Sequence, residues 1–68
     1  MKISARNVLK GKVVDIVKGA TTAHVRIDVG GTIVTASITN ESVDDLGLVK
    51  GMTASAVIKS SDVMVAID

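Results

Sequence analysis

Between Thr32 and Leu48 the chain reads TIVTASITNESVDDLGL, and its hydrophobic period changes partway through. Up to Thr39 the stretch is rich in β-branched residues, the composition of a strand. A capping residue, Thr39 or Asn40, then precedes the acids Glu41, Asp44 and Asp45, with Val43 and Leu46 three apart and Gly47 behind them. A cap, acids near the start and a terminal glycine are the boundary signals of a helix. Val43 and Leu46 are spaced to share one face of it. The stretch is a strand running into one short helix.

Working outward, NVLKGKVVDIVK (Asn7–Lys18) reads as a first long strand, with Gly11 as its bulge or bend. Gly19–Thr22 is a turn. Ala23–Val29 alternates, with Val25, Ile27 and Val29 on one side and His24, Arg26 and Asp28 on the other. Gly30-Gly31 is a hairpin signal leading into the third strand, Thr32–Thr39. Beyond the helix, Gly51–Lys59 reads as a fourth strand, Ser60–Asp62 as a tight turn and Val63–Ile67 as a fifth strand. Three strands, a short helix and two strands are the element order of a small five-stranded barrel of the OB type, with its helix between strands three and four. The expected class is all-β, with residues 1–68 as a single domain. Val13-Val14, Ile33-Val34 and Val57-Ile58 are apolar on both faces of their strands. One face fills the barrel; the other calls for a neighbouring subunit.

Composition points the same way. The chain has 68 residues, 47% hydrophobic, with no Phe, Tyr, Trp, Pro or Cys. A 7.0 kDa chain folds to a surface of about 4,000 Å². A core of Val, Ile and Ala, without disulfides, barely offsets the entropy of ordering so short a chain, so a homo-oligomer is expected. Lys2 is followed by no apolar signal region, and no apolar stretch approaches the ~18 residues of a membrane span. The expected compartment is the cytoplasm.

The same inventory narrows the chemistry. His24 alone cannot build a metal site, and its flanking by Arg26 and Asp28 on an alternating strand marks a surface histidine rather than a catalytic base. No paired carboxylates and no glycine-rich phosphate loop stand out, so no enzyme is expected. OB barrels hold single-stranded nucleic acid by stacking bases on aromatic rings. This chain has none, and its net charge is only +1. A nucleic-acid or purely structural OB module therefore stands as the alternative reading. What remains is a set of hydrogen-bond donors. Ser4, Arg6 and Asn7 lie at the start, Lys59, Ser60 and Ser61 after the fourth strand, and Thr39 and Asn40 where the third strand meets the helix. Hydroxyls, backbone N–H groups and one or two cations can enclose a small anion. Each also has an ordinary structural role, as turn or cap.

ISARNVLKGKVV at the start, SVDDLGL in the middle and AVIKSSDVMVAI at the end together resemble the molbindins, small cytoplasmic proteins that bind molybdate and tungstate. The same module recurs in molybdate-responsive regulators and transporter ATPases. The resemblance covers essentially the whole chain and implies a hexamer, a trimer of dimers, in which the N-terminal strand helps to join subunits. It implies no prosthetic group, no nucleic acid and no membrane as partner, but oxyanion sites at subunit interfaces. By motif, one class of site falls on Ser4, Ala5, Arg6, Lys59 and Ser60, with Thr39 near the same pocket and Ser61 adjacent. A second class, lined largely by backbone, falls on the turn Gly19, Ala20, Thr21 and Thr22.

Overall fold

Asn7–Lys18 form β1, and the computed structural model, which describes residues 1–68, builds the sheet on both its flanks. β2 (Thr22–Asp28) pairs antiparallel with the second half of β1, from Lys12↔Asp28 to Lys18↔Ala23. β4 (Thr53–Ile58) pairs antiparallel with the first half, from Asn7↔Ile58 to Lys12↔Thr53. β3 (Ile33–Thr39) completes the order β3-β2-β1-β4. Because β1 serves different partners along its two halves, it has to bend between them. The register shift that lets it do so lies between Val13 and Asp15, not at the expected Gly11. Gly11 has another reason to be there. A Cβ at this position would overlap the carbonyl oxygen of Asp28 and stand 2.9 Å from Ile27 Cγ2. Only a residue without a side chain lets β1 back onto the end of β2.

The β2–β3 hairpin turns through Gly30 and Gly31, both at positive φ (88° and 97°). Gly31 N–H donates to Asp28 Oδ1 at 2.7 Å, and Val29 N–H to the carbonyl of Thr32 at 2.8 Å. The helix α1 (Asn40–Asp45) starts as the sequence implies: Thr39, in extended backbone, accepts from the Ser42 N–H at 3.0 Å. Val43 is buried, whereas Leu46, expected on the same face, is 65% exposed at the mouth of the sheet. The expected fourth strand loses Gly51 and Met52 to a loop that hooks onto the bend of β1. Val13 N–H donates to the Met52 carbonyl, and Gly51 N–H to that of Val13.

The sheet curls without closing. The expected fifth strand, Val63–Ile67, does not form: after β4 the chain makes a 3₁₀ turn (Ser60–Asp62) and runs on without regular structure. The physical reason lies in its composition, VMVAI, which is apolar on both faces. Such a strand needs cover on both sides, and one copy of the sheet has no second layer to give it. The fold is thus all-β with one short helix, four strands in a curled half-barrel. Its core is Val13, Ala23, Val25, Ile27, Val43 and Ala56. β2 supplies three of these at every second position while Thr22, His24 and Arg26 stay exposed, the alternation that a one-sided sheet demands.

Candidate functional site

The Asn7↔Ile58 register brings two distant stretches of sequence to one end of the sheet. Asn7 Nδ2 donates to the carbonyl of Ile58 at 3.2 Å and pins the junction. Ser4-Ala5-Arg6 leads into β1 there, and Lys59-Ser60-Ser61 leads out of β4 beside it. Ala5 is half-buried, and Ser4, Arg6, Lys59, Ser60 and Ser61 are exposed. None of their side chains makes a hydrogen bond within the chain, nor do the N–H groups of Ser4, Ala5, Arg6, Ser60 and Ser61. The chain's one ion pair is elsewhere, between Lys18 Nζ and Asp44 Oδ1 at 2.7 Å, exposed and worth little. Arg6 and Lys59 therefore reach this end of the sheet as uncompensated cations, among hydroxyls and free backbone donors. No acid joins the cluster within hydrogen-bonding distance. That set suits a small anion that carries no proton.

Thr39 is not brought to this cluster within one copy. It pairs with Thr22, at the end of the sheet where β1 reaches Lys18. Asn7 and Lys18 are the two ends of β1, which an extended chain separates by roughly 35 Å. Its hydroxyl is engaged there, accepting from Ser42 N–H and donating to Ser42 Oγ at 2.8 Å. The Gly19–Thr22 turn lies at the same end. Gly19 N–H donates to the Thr22 carbonyl at 2.7 Å, Asn40 N–H to that of Thr21 at 2.9 Å, and Asn40 Nδ2 to that of Gly19 at 3.0 Å. Gly19 and Thr22 line a shallow cleft of about 230 Å³ with Val17 and His24. Asn7 and Asn40, counted in the sequence among the donors but assigned to neither class of site, organise the two ends. Each acts by an amide reaching a backbone carbonyl far away in sequence, which no local pattern announces.

No group of three or more His, Cys, Asp or Glu side chains is placed to hold a metal cation. No helix is long and apolar enough to cross a membrane.

Comparison with known proteins adds to this geometry. Residues 3–65 match the TOBE domain. The chain is 53% identical over 66 residues to molybdenum-pterin-binding protein 3 of Clostridium pasteurianum, covering 96% of this chain and 97% of that one. Its fold superimposes on a molybdate-binding protein from Sporomusa ovata with a TM-score of 0.94 at 43% identity, covering 98% of this chain and all of the other. It also superimposes on the cytoplasmic molybdate-binding protein ModG, in a structure with molybdate bound. There the TM-score is 0.90 at 48% identity, over 94% of this chain and 46% of that one.

Proposed function

The chain belongs to the TOBE domain family, and on that footing we propose that it binds molybdate or tungstate, as a binding protein rather than an enzyme. The observation that carries this reading is the convergence of Arg6 and Lys59, both without an ion-pair partner, at the paired ends of β1 and β4. Molybdate at neutral pH is a dianion with no proton to give. A site rich in donors therefore meets all its oxygens. Hydrogen phosphate carries an O–H that only a serine hydroxyl or a backbone carbonyl could accept, and where none turns to it the unmet group costs about 1–3 kcal/mol. Sulfate is fully deprotonated and escapes that test, so its exclusion rests on size, molybdate being larger. Tungstate, nearly the size of molybdate, binds alike.

Relatives bear the name molybdenum-pterin-binding, but the donor set here suits the inorganic oxyanion. A pterin ring calls for an aromatic platform, and the chain has no aromatic side chain. The exposed donors form half of an enclosure; the other half comes from a second copy in a homo-oligomer, a hexamer built as a trimer of dimers. Thr39, too far along the sheet to reach Arg6 in its own chain, meets this pocket only from a neighbour. The Gly19–Thr22 turn serves a second class of site. The role is storage and homeostasis of the oxyanion in the cytoplasm.

Isothermal titration of the purified protein tests this reading. Molybdate and tungstate give saturable heat with a stoichiometry that counts the sites per assembly, and sulfate and phosphate give little. Absence of molybdate heat at every concentration overturns it.

A further inference from the structure

His24, the chain's one histidine, lines the cleft of about 230 Å³ at the Lys18 end of the sheet, together with Val17, Gly19 and Thr22. The register puts it there, opposite Val17 of β1 and Ser37 of β3, on the face that alternation leaves outside the core. Its imidazole makes no hydrogen bond within the chain. The turn that closes this end holds two more unengaged donors, the N–H groups of Ala20 and Thr21. We propose that His24 is the cationic ligand of an oxyanion held at this turn, its imidazolium N–H donating beside the backbone donors. The inference rests on the reading of Gly19–Thr22 as a second class of oxyanion site, and it assigns to that class a side chain and a pH dependence.

A dianion calls for positive charge, and the cleft has one place to find it. Lys18 is close in sequence, but its Nζ is committed to Asp44 Oδ1 at 2.7 Å. No acid lines the cleft, and His24 is the only lining side chain able to carry a charge. The charged groups on the same face of the sheet are Arg26, two residues along β2, and Asp15, opposite Arg26 on β1. Neither forms an ion pair, and Asp15 Oδ1 accepts from the Ile16 N–H at 3.0 Å. β3 contributes only the hydroxyls of Thr35, Ser37 and Thr39. α1 packs on the core face through Val43, and of its acids, Glu41, Asp44 and Asp45, only Asp44 is in an ion pair, with Lys18. No partner within the chain competes with an oxyanion for the imidazole.

The two forms of an imidazole meet such a ligand differently. The neutral ring has one N–H donor and one bare nitrogen; the cation has two donors. A hydrogen bond from a charged donor to an anion is roughly twice as strong as a neutral one. Histidine is the side-chain type whose charge changes near neutral pH. The oxyanion favours the protonated ring. Affinity at this turn is therefore full where the free imidazole already carries its proton, and it falls as pH rises and each binding event has to take up a proton as well. The first class of site, built on Arg6 and Lys59, contains no imidazole and does not share this dependence. Both classes fill in mildly acidic solution, and only the first keeps its affinity in mildly alkaline solution.

Titration calorimetry of the full chain with molybdate, from about pH 6 to about pH 8 and at each pH in two buffers of different ionisation enthalpy, tests the proposal. The expected result is two binding components. One is flat across the range; the other weakens about tenfold and takes up protons, seen as heat that depends on the buffer. His24 is exposed, so substitution there leaves the core intact. His24→Gln holds the second component at its weaker affinity at every pH and abolishes its proton uptake, and His24→Lys keeps the tighter affinity at every pH. A second component that ignores pH, buffer and the His24→Gln change overturns the proposal and leaves the turn as a site lined by backbone. One that weakens with pH equally in His24→Gln overturns it too, since the titrating group then lies elsewhere. A single component at every pH overturns the second class of site together with the proposal.

Discussion

Asn7 and Ile58 stand opposite each other in neighbouring antiparallel strands, tied by Asn7 Nδ2 donating to the Ile58 carbonyl at 3.2 Å. They are 51 residues apart in sequence. That one pairing brings together two motifs that separately are a terminus and a turn. It sets Arg6 and Lys59 as next neighbours beyond the paired ends, neither of them in an ion pair.

Lys59→Ala removes one of the two cations and tests the assignment directly. A hydrogen bond to a charged group contributes about 1.5–3 kcal/mol, so molybdate affinity falls roughly 10- to 100-fold by titration calorimetry. Lys59 is exposed and its side chain makes no hydrogen bond or ion pair within the chain, so the sedimentation coefficient is expected to stay unchanged. Binding at full strength removes Lys59 from the site.

Thr39→Ala separates cap from ligand. The hydroxyl caps α1 through the Ser42 N–H, and loss of such a cap costs about 0.5–2 kcal/mol. The unliganded protein loses roughly 4–8 °C in Tm for each kcal/mol. Thr39→Ser keeps the oxygen and restores the Tm. An unchanged Tm in the alanine variant would mean that the helix holds without its cap.

Much of the fold was legible because its signals are local. The alternation of Ala23, Val25 and Ile27, the Gly30-Gly31 turn and the Thr39 cap each act within a few residues, and each stands where the pattern puts it. Three features were not legible, for one common reason. The bend of β1 at Val13–Asp15, the exposure of Leu46 and the unformed strand at Val63–Ile67 depend on what lies opposite in space. The apolar composition of Val63–Ile67 suits a covered strand, but nothing in one copy of the sheet covers it. The candidate site divides likewise. Its residue types were readable from the motifs, but that Arg6 neighbours Lys59 while Thr39 sits at the far end of the sheet required the register.

Gly11→Ala adds a methyl group where none fits. Its Cβ would run into the Asp28 carbonyl, which is backbone and held by the β1–β2 ladder, so the strands have to separate. Overpacking of this kind costs about 1–3 kcal/mol. A fall of roughly 4–8 °C in Tm per kcal/mol is expected in thermal unfolding. Gly30→Ala is the informative companion: nothing lies within 4 Å of its Cβ, but its φ of 88° strains any side chain. A Gly11→Ala protein that melts with the parent shows that β1 can shift away from Asp28 at no cost.

On the proposed function molybdate is expected to stabilise the fold by mass action, and the dependence distinguishes a site from a salt effect. A ligand that binds only the folded state adds RT ln(1 + [L]/Kd), about 2.7 kcal/mol at a hundredfold excess over Kd. Because Arg6 and Lys59 flank the ends of β1 and β4, an anion bound between them, as proposed, is expected to fix the Ser60–Asp62 turn that follows as well. Tm therefore rises linearly with the logarithm of molybdate concentration above Kd. Sodium sulfate at equal ionic strength leaves it nearly flat, because screening acts on exposed charges without filling the site. In Lys59→Ala the molybdate curve begins its rise at a concentration 10- to 100-fold higher, about the affinity change expected from calorimetry. Superimposable curves for molybdate and sulfate would reduce the cluster to a patch of positive charge that selects no oxyanion.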